Sequence, residues 1–198
     1  LNTILKTAIA ATAVTTIISL AGCQNDNSAT QEQSQPPKVE AQLLSDTLHH
    51  FAVASRDSYA KNVVQPLAIQ YKVIDANEDW QQSHALALPA QMARYTAENF
   101  KNRSLAVDIH LRSLWPINRK NRPVSMLETE GLKAVAENPS QPFYRLRDVN
   151  GQQVFTAIYA DVASSNSCIN CHNKHPDSAR NDFVGGDVLG GFVVNIKL

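Results

Sequence analysis

Two thiols and an imidazole fall within one short run, Cys168-Ile169-Asn170-Cys171-His172. Cysteines three apart lie on one side of a helical turn, so both sulfurs can add to the two vinyl groups of a single porphyrin. The C-x-x-C-H order is the sequence form of covalent c-type haem attachment, and it carries His172 beneath the iron as proximal ligand. With 3 Cys and 6 His in 198 residues, such a run arises by chance in roughly one sequence per thousand. Two other chemistries compete. A thioredoxin-type dithiol wants a strand before it and a regular helix after it. Here Ala163-Ser164-Ser165-Asn166-Ser167 precedes the run and His175-Pro176 closes it, which reads as a loop or a single turn. A structural zinc site needs four ligands, and drawing Cys168, Cys171, His172 and His175 from so short a span gives a strained set. The expectation is one covalent haem c held by Cys168, Cys171 and His172.

The elements that must position this run come from hydrophobic periodicity. From Lys38 to about Val64 the apolar residues Val39, Leu43, Leu44, Leu48, Phe51, Tyr59 and Val63 recur mostly at three and four, predicting a long amphipathic helix that Pro66 ends or kinks. Of its adjacent His49 and His50, at least one faces solvent. A loop with Trp80 and His84 leads to Leu88-Pro89-Ala90-Gln91-Met92, where Pro89 suits a first helical turn and Met92, Thr96 and Phe100 share a face. Leu105, Val107, Ile109 and Leu111 alternate with Ala106, Asp108, His110 and Arg112, the pattern of a half-buried strand. A basic loop spans 116–123. Ser125 and Glu128 form a capping box opening a helix that Asn138-Pro139 ends. A hairpin follows, with strands Phe143 to Arg147 and Gln153 to Val162 around Asn150-Gly151. In the last strand Phe192, Val194, Ile196 and Leu198 face one way. Three helices and about four strands with hairpin-like returns make an α+β domain with an antiparallel sheet.

The N-terminal residues read as targeting rather than fold. Lys6 is followed by an apolar run, Thr7 to Leu20, too short for a permanent bilayer span. Leu20-Ala21-Gly22-Cys23 resembles a bacterial lipoprotein box, so residues 1–22 are expected to be a signal peptide and Cys23 the lipidated N-terminus. Several acyl chains on one residue hold a protein to a membrane firmly. Residues 24–37 hold almost no apolar side chain and end in Pro36-Pro37, a disordered tether. Gln24 after the cysteine resembles an outer-membrane address, placing the domain in the periplasm of a Gram-negative bacterium. Export fits haem c, which is attached outside the cytoplasm. With 18 Lys and Arg against 18 Asp and Glu, nothing suggests a nucleic-acid partner.

The run Cys168-Ile-Asn-Cys-His-Asn-Lys-His-Pro-Asp-Ser178, with Gly186-Asp187-Val188 just after, resembles the periplasmic c-haem domains with a PAS-like fold. That family is found alone and on the front of bacterial sensor kinases and cyclases. Arg56-Asp57-Ser58-Tyr59-Ala60-Lys61-Asn62-Val63-Val64, Leu88-Pro89-Ala90-Gln91-Met92 and Asn118-Arg119 with Asn121-Arg122 support the likeness, which covers about residues 40–198. Where the family tends to have a basic residue, this chain has Leu189; Arg180 stands as a partial replacement. The resemblance implies a PAS-like antiparallel sheet with a long N-terminal helix and flanking helices. It also implies a distal iron ligand from the N-terminal half, where some relatives use a cysteine that this chain lacks.

Met92 is the first candidate for that distal position, because thioether ligation is familiar in c-type haem proteins; ordinary core filling is the alternative. His84 and His110 follow. His175, three residues after His172, stays on the proximal side, where it orients the loop or meets a propionate. Arg119 and Arg122 are candidate propionate partners, since guanidinium forks suit carboxylates. The function expected is a periplasmic redox or diatomic-gas sensing module that passes its signal to a separate transducer. The alternative is a membrane-anchored electron-transfer cytochrome serving a periplasmic redox partner. No enzyme activity is expected, because a peroxidase-like site needs a distal acid-base residue and no distal Arg-His pattern is readable.

Overall fold

The structure is a computed structural model that describes residues 38–104, 106–163 and 166–198. The expected signal peptide, Cys23 and the tether lie outside the described residues, as does Leu105. The described residues belong to the second of the chain's two units, Gln35–Leu198.

A mixed α+β fold is built on a four-stranded antiparallel sheet. Its strands are β3 (Val107–Arg112), β4 (Phe143–Val149), β5 (Gln152–Val162) and β6 (Val188–Lys197), in spatial order β3-β6-β5-β4. Helix α1 (Lys38–Tyr59) and α3 (Pro89–Lys101) cover one face, where Phe155, Ala157, Tyr159, Phe192, Val194 and Ile196 form the larger core. Helix α4 (Met126–Glu137) covers the other through Leu132, Val135, Ile158 and Val193. Phe192, Val194 and Ile196 face one way as expected, and the opposite face of β6 is buried too, because Val193 and Gly191 pack beneath Leu132 of α4. Each fully buried aromatic or branched side chain here contributes about 1.5–3 kcal/mol of burial free energy. Gly190 is required by close approach: a Cβ there would stand 2.5 Å from the Arg112 carbonyl oxygen on β3.

The hairpin agrees with its sequence signature. Asn150 and Gly151 both take positive φ, 56° and 81°, the backbone of the tight turn whose twist matches paired strands. The capping box is half as expected. Ser125 Oγ accepts from the Glu128 N–H at 3.1 Å. The buried Glu128 carboxylate, however, accepts from the Val124 N–H at 2.8 Å and lies 3.2 Å from Arg112 Nε, tying α4 to β3.

Three elements differ from the periodicity reading. In α1 the packed face is Ala41, Ser45, Leu48, Ala52 and Val53, while Leu43 and Phe51 are 66% and 69% exposed. Small side chains let the helix axis approach the Tyr159–Phe192 aromatic layer, and that steric advantage outweighs the larger residues' hydrophobicity. Pro66 does not stop the helix. The chain continues from Ala60 to Gln70 with π-type hydrogen bonding, Tyr71 N–H donating to the Pro66 carbonyl at 2.8 Å. The wider turn leaves room around the pyrrolidine ring. The expected loop around Trp80 and His84 holds two short parallel strands, β1 (Ala76–Asn77) and β2 (Leu86–Ala87), around a single turn, α2 (Trp80–Ser83). Among the described residues, no helix is long and apolar enough to cross a membrane.

Candidate functional site

The thiol and imidazole run lies on a regular helix, α5 (Asn166–Lys174), and not in a loop or single turn. His175-Pro176 closes it, with His175 N–H donating to the Cys171 carbonyl at 3.0 Å. Positions 168, 172 and 175 follow helical spacing along one face. Cys168 and Ile169 pack on a small apolar cluster of Ala163, Phe183 and Leu189, to which Trp115 also contributes. Leu189 therefore serves packing rather than charge. Arg180 lies 5.2 Å over the Trp115 ring and 4.3 Å over Phe183, and its guanidinium is bound to Asp182 and Asp187 at 2.6 and 2.8 Å.

His172 is half-buried and meets the Phe183 ring edge-on, centroids 5.6 Å apart at 86°. Its Nδ1 is buried and, among the described residues, has no hydrogen-bond partner. Burial holds the imidazole below its ordinary pKa, and the Asp161 carboxylate works in the opposite sense. Phe183 is held in place by Asn173, whose side chain donates to the Phe183 carbonyl and accepts from its N–H, both at 2.9 Å. Cys171 is exposed; burial of its sulfur, then Glu78 and Cys168, pushes its thiol pKa up.

His175 is committed elsewhere. Its Nδ1 accepts from the Asp177 N–H at 3.1 Å, which leaves Nε2 as the protonated nitrogen facing Glu78 Oε2 at 3.1 Å. The contact with Glu78 links the end of α5 to the segment before α2. Among the described residues no three His, Cys, Asp or Glu side chains come together as a metal-ligand set, so the four-ligand zinc arrangement is not formed.

The remaining candidates are dispersed. Met92 is half-buried on α3, where Ala93, Ala97 and Phe100 make the packed face and Thr96, expected to share it, is exposed. His84 is exposed in a left-handed conformation, φ 52°, at the end of α2. His110 is half-buried on β3 between Asp108 and Arg112, and burial lowers its pKa. Arg119 and Arg122 are exposed at the two ends of a 3-10 turn that is fastened by Ser113 N–H to the Asn121 carbonyl at 2.8 Å. His50 is exposed and His49 is the inward histidine of α1.

The family model for Tll0287-like proteins matches residues 29–197. The chain belongs to the Tll0287-like family. A solved structure, the crystal structure of the cyanobacterial heme-protein Tll0287, is similar with a TM-score of 0.52 at 15% identity, over 79% of this chain and 95% of that one. A search of the curated proteins finds no match. For this Tll0287-like chain the likeness establishes the mixed α+β fold around a four-stranded antiparallel sheet.

Sequence reasoning passed over Asn173, Phe183, Glu78 and Asp161. The first two carried a signal, standing one and eleven residues after His172. Glu78 and Asp161 carried none, because their partners are far away in the chain. What the arrangement offers chemically is two sulfur nucleophiles and one imidazole on a single helix face, backed by an apolar wall.

Proposed function

We propose that this Tll0287-like chain is an exported c-type haem protein, in which Cys168 and Cys171 hold one haem covalently and His172 is the proximal iron ligand. The observation that carries the reading is α5 itself, which presents both sulfurs and a half-buried imidazole on one turn beside the Phe183–Leu189 wall. Each thiol would add across one vinyl double bond, sulfur to carbon and hydrogen to carbon, so attachment needs no oxidant. The buried, unpartnered Nδ1 of His172 fits a ring whose orientation is completed by a bound group. The similarity to a heme-protein supports the same reading. When bound, the haem supplies an iron that changes between ferrous and ferric states.

The protein's own side chains have distinct tasks in this scheme. Phe183, clamped by Asn173, fixes the plane of the His172 ring. Cys168 seals the wall. Arg119 and Arg122 supply cations for the propionates, and Met92 is the proposed distal ligand. The domain is PAS-like in build. Residues 1–22 act as a lipoprotein signal peptide, Cys23 carries the lipid, and residues 24–37 tether the domain in the periplasm, at the outer membrane. The role is redox or diatomic-gas sensing with a separate transducer as listener. Membrane-anchored electron transfer is the second reading; exposed Cys171 favours it, because a thioether there brings a haem edge to the surface.

The test is the optical spectrum of the mature protein, made with haem-attachment machinery, reduced and exposed to carbon monoxide. Haem bands that shift with the gas support sensing at an open or displaceable iron. Bands unmoved by the gas support electron transfer. Absence of haem bands, or full covalent haem in both Cys168→Ser and Cys171→Ser, overturns the reading.

A further inference from the structure

A cavity of about 290 Å³ lies between α1, the turn that joins α4 to β4, and strands β4 and β5. None of its lining residues belongs to α5 or has a part in the haem reading. Asp46, His49 and His50 line it from α1, Ser140 from the turn, and Tyr144 and Tyr159 from the sheet. Pro139 and Pro142 stiffen the turn, and Gln141 N–H donates to the Asn138 carbonyl at 3.1 Å, so this wall is formed in advance. The lining is anionic. It carries the Asp46 carboxylate and, among the described residues, no lysine or arginine; Arg56 of the same helix is paired with Asp161 instead. Tyr144 and Tyr159 both donate to Asp46 Oδ1, at 2.8 and 2.6 Å, which fixes the carboxylate and leaves Oδ2 to accept from a guest. Ser140 Oγ donates to Asn138 Oδ1 at 2.8 Å, so its remaining capacity is also that of an acceptor. His49 completes the polar set, with both ring nitrogens buried and without a hydrogen-bond partner among the described residues. A neutral imidazole holds one N–H and one bare nitrogen, and leaving both unpaired is costly unless water or a ligand completes them. Tyr159 stacks on that ring at 4.1 Å and Tyr144 stands across Tyr159 at 81°, so the polar groups sit in an aromatic corner.

We propose that this cavity binds the primary ammonium group of a small organic amine, with Asp46 Oδ2, His49 and Ser140 Oγ as its acceptors and the Tyr144–Tyr159 corner around its alkyl part. An ammonium group has three N–H donors and no acceptor, which matches a set of three acceptors. The bond to Asp46 is charge-assisted and therefore the strongest of the three. Aromatic side chains beside the cation add to the attraction. An anion would meet the Asp46 carboxylate with no cation in the lining to offset it, and a neutral alcohol brings a single donor. At about 30 Å³ for each water-sized group, the cavity holds about ten non-hydrogen atoms, which excludes a nucleotide. Asp46 and His49 come from α1 and the tyrosines from the sheet, so a guest fastens the helix to β4 and β5. Such a site gives the domain a chemical input separate from the iron.

The experiment is isothermal titration calorimetry of the full mature protein with n-butylammonium at pH 7 and constant ionic strength, with acetate, n-butanol and potassium as the other titrants. n-Butylammonium should saturate one site per chain with a dissociation constant of about 1 mM or below, and the other three should give no saturable heat. Asp46→Asn, whose amide oxygen can still accept from the tyrosines, should weaken amine binding by about tenfold or more, and Ser140→Ala by about threefold. The amine should raise the thermal midpoint of wild type and leave that of Asp46→Asn in place. No saturable amine heat in wild type, or undiminished binding in Asp46→Asn, overturns the proposal. Equal binding of potassium assigns the site to an inorganic cation, and binding of acetate or n-butanol removes the charge argument; each overturns it too. Ser140 lies in an exposed turn, so if Asp46→Asn folds poorly, undiminished binding in Ser140→Ala is the overturning result. The heat is read without reference to iron, which keeps failure of the haem reading distinguishable.

Discussion

Replacing His49 by phenylalanine isolates one buried imidazole as a source of acid sensitivity. His49 stacks on Tyr159 with centroids 4.1 Å apart at 5°, meets Phe192 edge-on at 5.6 Å, and keeps both ring nitrogens buried without hydrogen-bond partners among the described residues. Burial first, then the neighbouring His50 and the Arg56 guanidinium, lowers its pKa from 6.5 to about 4, with Asp46 opposing. Tyr159 and Tyr144, the groups facing it from the sheet, bring no charge at acid pH. Because the folded pKa is depressed, the unfolded chain binds the extra proton first. Stability is then fully present above the unfolded value of 6.5 and is lost as pH falls toward about 4. A wholly shielded ring would cost about 2 kcal/mol at pH 5, which the partly exposed edge of this one reduces to about 1 kcal/mol. The assay is urea unfolding of wild type and His49→Phe at pH 7 and pH 5 and constant ionic strength. Other titrating groups cancel in the double difference. Wild type should lose about 1 kcal/mol more than the variant over that interval. Equal losses in the two proteins would refute a neutral, buried His49.

Asp46 Oδ1 accepts from Tyr144 and Tyr159 at 2.8 and 2.6 Å, so Asp46→Ala removes the acceptor the two phenols share, Tyr159 keeping Ser45 Oγ at 3.0 Å, and should cost about 1–2 kcal/mol in urea unfolding. Burial, with that bond to Asp46, pushes the Tyr144 phenol up to about 12; removing Asp46 should lower its ultraviolet titration midpoint. Gly190→Ala places a methyl group against the Arg112 carbonyl and is expected to destabilise by about 1–3 kcal/mol, read as a lower thermal midpoint. Met92→Ala should turn a low-spin haem spectrum high-spin, and an unchanged spectrum removes Met92 from the iron.

Local chemistry was legible wherever one residue type has one use. Asn150-Gly151 announced its turn, Ser125 its cap, and the alternation through Ile109 and Leu111 its strand. The thiol run was legible as chemistry but not as conformation. Its flanks, Ser164-Ser165 and His175-Pro176, suggested a loop, whereas the helix is stabilised by contacts with Phe183 and Leu189 that lie well beyond the run. The α1 face failed for a related reason. Hydrophobicity ranks Leu43 and Phe51 above Ala41, Ser45 and Ala52, but close approach to Tyr159 and Phe192 favours small side chains. Likewise Arg56 and Asp161 find each other across 105 positions, a separation no spacing rule reaches.

Among the described residues the sheet is open at β3 and β4, and the edge strand β4 places Arg145, Arg147 and Asp148 in solvent. An uncovered strand edge is a template on which a neighbouring molecule can continue the ladder, and charged side chains along it are an effective deterrent. Exchanging Arg145 and Arg147 for threonines would keep the strand while removing that deterrent. Solutions of such a protein should turn turbid at concentrations the parent tolerates, with this short arginine-bearing strand as the place where growth begins.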